Sequence, residues 1–154
     1  MIILKWNIRV LGDLAKRAKV RDFIHLYGFD VISLQETKLL SPTFHLFCSI
    51  GGVQINEWVV LDSIGASRGQ LIGWNGKLFV KTSQSSRFSI TMKLKEWATQ
   101  LTLCVTSVYG PSNRTLKPLF LKDLHLTYAW CSTTPWALMR GFNMTRFTEE
   151  RQVV

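Results

Sequence analysis

Phe29-Asp30-Val31-Ile32-Ser33-Leu34-Gln35-Glu36 is the stretch on which the fold turns. The run is almost continuously apolar and then stops in two polar side chains. That is the pattern of a strand buried on both faces whose end emerges at a rim. Before it, Val20, Phe23, Ile24 and Tyr27 recur at i, i+3, i+4 and i+7, which predicts a helix over 13–27 with one apolar face. Asp13 stands where it can cap the start of that helix, and Gly28 where it can end it. Lys16, Arg17, Lys19 and Arg21 cluster near its first turns and are read as a solvated face. Further back, residues 2–8 (Ile-Ile-Leu-Lys-Trp-Asn-Ile) read as another strand, so the chain opens as a β-α-β unit.

On the C-terminal side, 37–56 reads as a loop with a short helix. The middle of the chain is rich in strands, with candidates at 57–62, 70–75, 77–82, 87–94 and 101–109 separated by Gly, Ser and Asn turns. A second long helix is predicted within 115–130, using Leu116, Leu119, Phe120 and Leu124. Pro135-Trp136-Ala137-Leu138-Met139 then reads as a last strand, ending at Arg140-Gly141. Because the middle strands are joined by turns, a doubly wound parallel sheet fits poorly. The expectation is an α/β protein, a two-layer β-sandwich flanked by helices, with residues 1–154 in one domain.

Composition bounds the function classes. The chain has 154 residues, 47% hydrophobic and 19% charged, the balance of a globular protein and not of a disordered one. Its 19 basic residues against 10 acidic ones give a formal charge of +9, which attracts polyanions such as nucleic acid. No apolar run reaches membrane-spanning length. Met1–Trp6 is too short for the core of a signal peptide and reads as a strand. Cys48, Cys104 and Cys131 are odd in number and widely spaced, which argues against a disulfide framework or a structural zinc site. A reducing compartment, nuclear or cytoplasmic, is expected, and Asn113-Arg114-Thr115 and Asn143-Met144-Thr145 carry little weight as glycosylation sequons without a secretory signal.

The polar residues that close the core strands should meet at one rim of the sandwich. The first strand ends at Asn7, the second at Glu36, a later one at Tyr109, and the last is followed by Asn143. A carboxylate at a core edge needs a partner, and magnesium takes hard oxygen ligands, often one or two carboxylates with water and phosphate. Asn7 can help place such an ion without adding charge, while Tyr109 and Asn143 offer neutral donors to phosphate oxygens. Read one at a time, these residues admit a plainer account, in which Glu36 pairs with a lysine such as Lys38 and the asparagines cap turns.

Taken together, Trp6-Asn7-Ile8-Arg9, Leu34-Gln35-Glu36-Thr37-Lys38, Ser107-Val108-Tyr109-Gly110-Pro111 and Phe142-Asn143 resemble, in order and spacing, the endonuclease/exonuclease/phosphatase superfamily. Asp62-Ser63-Ile64-Gly65-Ala66-Ser67-Arg68-Gly69 followed by Gly73-Trp74-Asn75 is similar to the endonuclease domain of plant LINE-type, non-LTR retrotransposons. The resemblance spans Met1 to Arg151 and implies Mg²⁺-dependent phosphodiester hydrolysis of DNA. It makes Asn7, Glu36, Tyr109 and Asn143 the catalytic set. Glu36 would bind Mg²⁺ with support from Asn7, Tyr109 would contact the phosphate, and Asn143 would orient the attacking water. The basic residues beside these words, Arg9, Lys38, Arg114 and Arg140, are the expected nucleic-acid contacts.

The sequence departs from the family pattern at three places. Gly141 stands where the family's late motif has the aspartate that helps activate water, and Arg140, standing where the family has glycine, is expected to crowd the pocket or bind phosphate. Val10 replaces a glycine after the first strand, and a β-branched residue resists φ > 0, so an altered turn is expected there. A final aspartate-histidine pair has no counterpart before Val154, and His25, His45 and His125 all lie too early to match it. The expectation is therefore a degenerate, C-terminally truncated copy from a decaying retroelement, with open strand edges, marginal stability and no useful cleavage on its own. The alternative is a non-catalytic nucleic-acid-binding remnant. An active phosphoesterase on a small substrate is disfavoured by the missing histidine, and no feature marks a dedicated interaction module.

Overall fold

A computed structural model of the chain describes residues 1–63 and 68–141, leaving aside the side chains of Phe79 and Lys81. The first half runs β1 (Ile3–Asn7), α1 (Leu14–Tyr27), β2 (Val31–Gln35), α2 (Phe44–Gly51), β3 (Glu57–Leu61) and β4 (Gln70–Trp74). The second half runs β5 (Leu78–Ser85), β6 (Ser89–Glu96), β7 (Thr102–Tyr109), a 3-10 turn (Arg114–Leu116), α3 (Lys117–Cys131) and β8 (Trp136–Gly141). Two four-stranded sheets result, ordered β1-β2-β4-β3 and β5-β6-β7-β8. β1 pairs with β2, and β7 with β8, in parallel; the other neighbours are antiparallel. This is the expected α/β architecture of two sheets flanked by helices.

The opening β-α-β unit forms as its residues dictate. The Asp13 carboxylate accepts from the Ala15 N–H, and Gly28, at φ 65°, ends α1 by donating to the Ile24 carbonyl. β2 explains why the deciding run shows no alternation: both of its faces are covered. Ile32 and Leu34 pack against Val20 and Ile24 of α1, while Val31 joins the apolar layer between the sheets with Ile72, Ile90 and Val105. Phe120 of α3 lies on the outer face of the second sheet against Phe88 and Val108. β5 runs beyond the predicted end at residue 82. The segment Ser83–Ser85 has no apolar pattern of its own, and pairing with Ile90–Met92 of β6 holds it extended.

Towards the C-terminal ends of β2 and β7 the inter-sheet layer turns polar. Ser33, Gln35, Gln70 and Ser107 are all buried there. Ser33 Oγ donates to Ser107 Oγ at 2.8 Å, Ser107 Oγ donates to Gln70 Oε1 at 2.8 Å, and Gln35 Nε2 donates to Ser107 Oγ at 3.0 Å. Gln35 Nε2 also reaches the carbonyls of Val108 and Met139, at 3.0 and 3.3 Å, which fixes its amide with the nitrogen toward the second sheet. Cys104 and Cys131 are buried free thiols and Cys48 is exposed. Burial and the adjacent Cys104 push the Cys131 thiol up to about 12, so it stays protonated. No helix among the described residues is long and apolar enough to cross a membrane.

Ser107 is the shared node of this seam. Ser107→Ala removes the partner of two buried groups, Ser33 Oγ and Gln70 Oε1, and is expected to cost about 1–3 kcal/mol, read as a lower midpoint in urea denaturation with an unchanged slope.

Candidate active site

The parallel pairing of β1 and β2 continues past both strands. Ile8 N–H donates to the Gln35 carbonyl at 3.0 Å, Val10 to Glu36 at 2.8 Å, and Leu11 to Thr37 at 3.0 Å. From the other side, Thr37 N–H donates to the Gly69 carbonyl at 3.2 Å and Lys38 to Arg68 at 3.0 Å. Glu36–Lys38 is thus clamped between two flanking segments. Gly69 has φ 78°, and a Cβ there would lie 2.6 Å from Thr37 Oγ1, so both the backbone and the space require glycine.

Within this clamp the Glu36 side chain is only 12% exposed. Its Oε1 accepts from Asn7 Nδ2 and from the Tyr109 hydroxyl, each at 2.7 Å. Its Oε2 faces Arg68 Nη1 at 3.4 Å. The phenol of Tyr109 is the main influence holding the Glu36 carboxyl below its ordinary value; burial opposes it, and the Asn7 amide and the Arg68 guanidinium add to it. Asn7 Oδ1, next to the carboxylate, is buried without a hydrogen-bond partner.

Three of the four expected catalytic residues, Asn7, Glu36 and Tyr109, therefore meet at one point, brought together from both sheets. Asn143 lies outside the described residues. The plainer account of Glu36 as half of a Lys38 pair is not what forms: Lys38 is exposed, and the cation at the carboxylate is Arg68. Arg68 was missed as a site residue, although Ser67-Arg68-Gly69 stood directly before β4, with a glycine marking a close backbone approach. Arg9 is exposed on the loop after β1, and Arg114 is exposed in the 3-10 turn beyond β7.

One expectation is corrected. Arg140 does not crowd the pocket. It is in register with Val108 and alternates with Met139, so it shares the face of Leu138, which packs towards Phe120, and Gly141 is the residue turned to the site. In the turn after β1, Val10 takes φ 79° and Arg9 takes φ 47°, a left-handed conformation that a β-branched side chain adopts only under strain. Gly141 has a further consequence. A Cβ there would stand 2.8 Å from Gln35 Oε1 and 3.2 Å from the Tyr109 ring, so Gln35 fills space that a side chain at 141 would need. Gln35 Oε1, like Asn7 Oδ1, is buried without a partner.

No family model and no curated protein matches the sequence. The fold does have neighbours among solved structures, an endonuclease/exonuclease/phosphatase family protein among them. The human Nocturnin catalytic domain, solved with a bound sulfate anion, superposes with a TM-score of 0.68 at 14% identity, over 92% of this chain and 64% of that one. An endonuclease/exonuclease/phosphatase family protein from Bacteroides thetaiotaomicron gives 0.67 at 11% identity, over 91% and 62%. The mannosyl-6-phosphatase Bt3783 of B. thetaiotaomicron VPI-5482 gives 0.67 at 10% identity, over 92% and 64%. The chain shares their fold and spans less than two thirds of their length.

Val10→Gly relieves the strained turn and is expected to stabilise the protein by about 1 kcal/mol, seen as a raised denaturation midpoint. Tyr109→Phe removes a hydrogen bond to an ionised group and is expected to cost about 1.5–3 kcal/mol at neutral pH. Because the folded Glu36 carboxyl sits below its unfolded value, its stabilisation is complete above the unfolded value and lost as pH falls through the folded one. The difference between wild type and Tyr109→Phe should therefore shrink in acid, as measured by denaturation across that range.

Proposed function

We propose that this chain carries the metal-binding half of an endonuclease-type phosphodiesterase site, derived from a LINE-type retrotransposon, and that it binds DNA without cutting it unaided. The observation that carries the reading is the Glu36 carboxylate, fixed by Asn7 and Tyr109 at the meeting point of the two sheets.

The donors suit magnesium. Glu36 Oε2 is the carboxylate oxygen not taken by Asn7 and Tyr109, and Asn7 Oδ1 is an acceptor lacking a partner beside it. One carboxylate with one neutral oxygen fits an ion that keeps most of its water. No cluster of three or more His, Cys, Asp or Glu side chains exists among the described residues, so a site built entirely from protein ligands is not what this donor set offers. When bound, Mg²⁺ would supply charge stabilisation at a phosphate oxygen. The chain's own groups do the placing. Asn7 and Tyr109 hold the carboxylate ionised and oriented. The exposed Arg9 and Lys38 on the two rim loops, with Arg114 and Arg140 further out, suit contacts to the DNA backbone, as does the charge of +9. Asn143 is proposed to orient water, as in the family.

The residues present argue for binding without cleavage. Gly141 offers no carboxylate. His25, His45 and His125 are exposed, and none takes part in the interactions of Glu36. The chain is proposed to form a single domain acting in the nucleus or cytoplasm.

Purified protein is expected to bind duplex DNA with an affinity that falls steeply with salt. Arg9→Ala combined with Lys38→Ala should lower the log–log salt slope by roughly 2. With Mg²⁺ it should nick supercoiled plasmid no faster than Glu36→Ala does. Nicking above that control would overturn the inactive reading, and salt-independent or absent DNA binding would overturn the polyanion partner.

A further inference from the structure

Glu36 Oε1 receives two short hydrogen bonds, which leaves Oε2 as the oxygen that can meet a cation. The group already facing Oε2 is the Arg68 guanidinium. The contact is long, 3.4 Å, and the Arg68 side chain is 52% exposed, so water competes for it and the pair itself adds little stability. The Arg68 main chain is placed far more firmly than its side chain. Its carbonyl accepts from Lys38 N–H at 3.0 Å, and the next residue, Gly69, is locked by its left-handed φ and by its contact with Thr37. A loosely held positive side chain is therefore anchored by its backbone beside a carboxylate fixed by two short hydrogen bonds.

From this geometry we propose that Arg68 is the exchangeable counter-ion of the site: its guanidinium and a divalent cation compete for Glu36 Oε2, and the displaced guanidinium pairs with a phosphate of bound nucleic acid. The inference rests on the metal-site reading above. Two positive groups cannot share one carboxylate oxygen without mutual repulsion, so occupation by one weakens the other. A planar guanidinium suits a phosphate, which it can grip through two N–H groups, better than it suits a single oxygen at 3.4 Å. Cation and phosphate binding are then linked. The cation frees Arg68 for the phosphate, and the phosphate draws Arg68 from the carboxylate, so each raises affinity for the other by the same factor.

The test uses the full chain, with Mn²⁺ titrations by calorimetry and binding of a labelled DNA duplex at several salt concentrations. Arg68→Gln is expected to bind Mn²⁺ roughly tenfold tighter than wild type, by loss of a like charge. It is expected to bind DNA more weakly, with a salt slope reduced by about 1. Arg68→Lys keeps the charge and should retain near-wild-type Mn²⁺ affinity; behaviour like Arg68→Gln would overturn the charge argument. Glu36→Gln should abolish Mn²⁺ binding in both the wild-type and the Arg68→Gln backgrounds. Equal Mn²⁺ affinity in wild type and Arg68→Gln, with Glu36 still required, overturns the counter-ion role and leaves the metal site standing. Absence of binding in both, or binding that ignores Glu36→Gln, overturns the metal site and this inference with it. Arg68 is half exposed, so folding of its variants is not at stake, and a thermal melt of each confirms it.

Discussion

The hydroxyl of Tyr109 and the amide of Asn7 meet on one oxygen of Glu36, and that junction depends on a hydroxyl deeper in the protein. Ser107 sits two residues before Tyr109 on the same face of β7, joined to Ser33, Gln35 and Gln70 across the gap between the sheets. Apolar packing is non-directional and would tolerate a small slide of one sheet over the other. A buried polar seam would not, because any slide leaves donors and acceptors unpaired where water cannot reach them. The seam sets the inter-sheet register, and the register puts the Tyr109 phenol over a carboxylate one residue beyond Gln35.

The backbone around that carboxylate departs from easy geometry. Arg9, Val10, Glu36 and Lys38 all take positive φ in two adjacent loops. Such conformations persist only where the surroundings over-determine them. Here they are held by the run of main-chain hydrogen bonds from Ile8, Val10 and Leu11 on one side and from Thr37 and Lys38 on the other. Val10 is the telling case. A glycine would adopt φ 79° freely, yet valine is held there because releasing the turn would break the bond from its N–H to the Glu36 carbonyl.

Proteins with 10–14% sequence identity to this chain share its fold over more than nine tenths of its length. What so little identity preserves is the fold itself. Identity at that level says nothing about which polar groups occupy the rim. In this chain one position at the rim is a glycine, and Gln35 lies close behind it.

The sequence by itself determined the elements, save the far end of β5, and put Asn7, Glu36 and Tyr109 at or just past the ends of core strands. Capping, turn chemistry and helical spacing are short-range effects, so Asp13, Gly28 and the apolar face of α1 could be read directly. The unbroken run in β2 announced a strand covered on both sides, and polar residues closing such strands had to meet at an edge. Tertiary structure alone decided the rest. The cation opposite Glu36 is Arg68, 32 residues away, and not its neighbour Lys38, because pairing across the first sheet places Arg68 and Gly69 against the Glu36 loop. The direction of Arg140 followed from the register of β8 on β7, and the valine at φ 79° from hydrogen bonds to a segment 26 residues away. Charge and spacing identify which residues can interact. Only the packed sheets fix which of them do, because the energies that choose among them come from contacts distant in sequence.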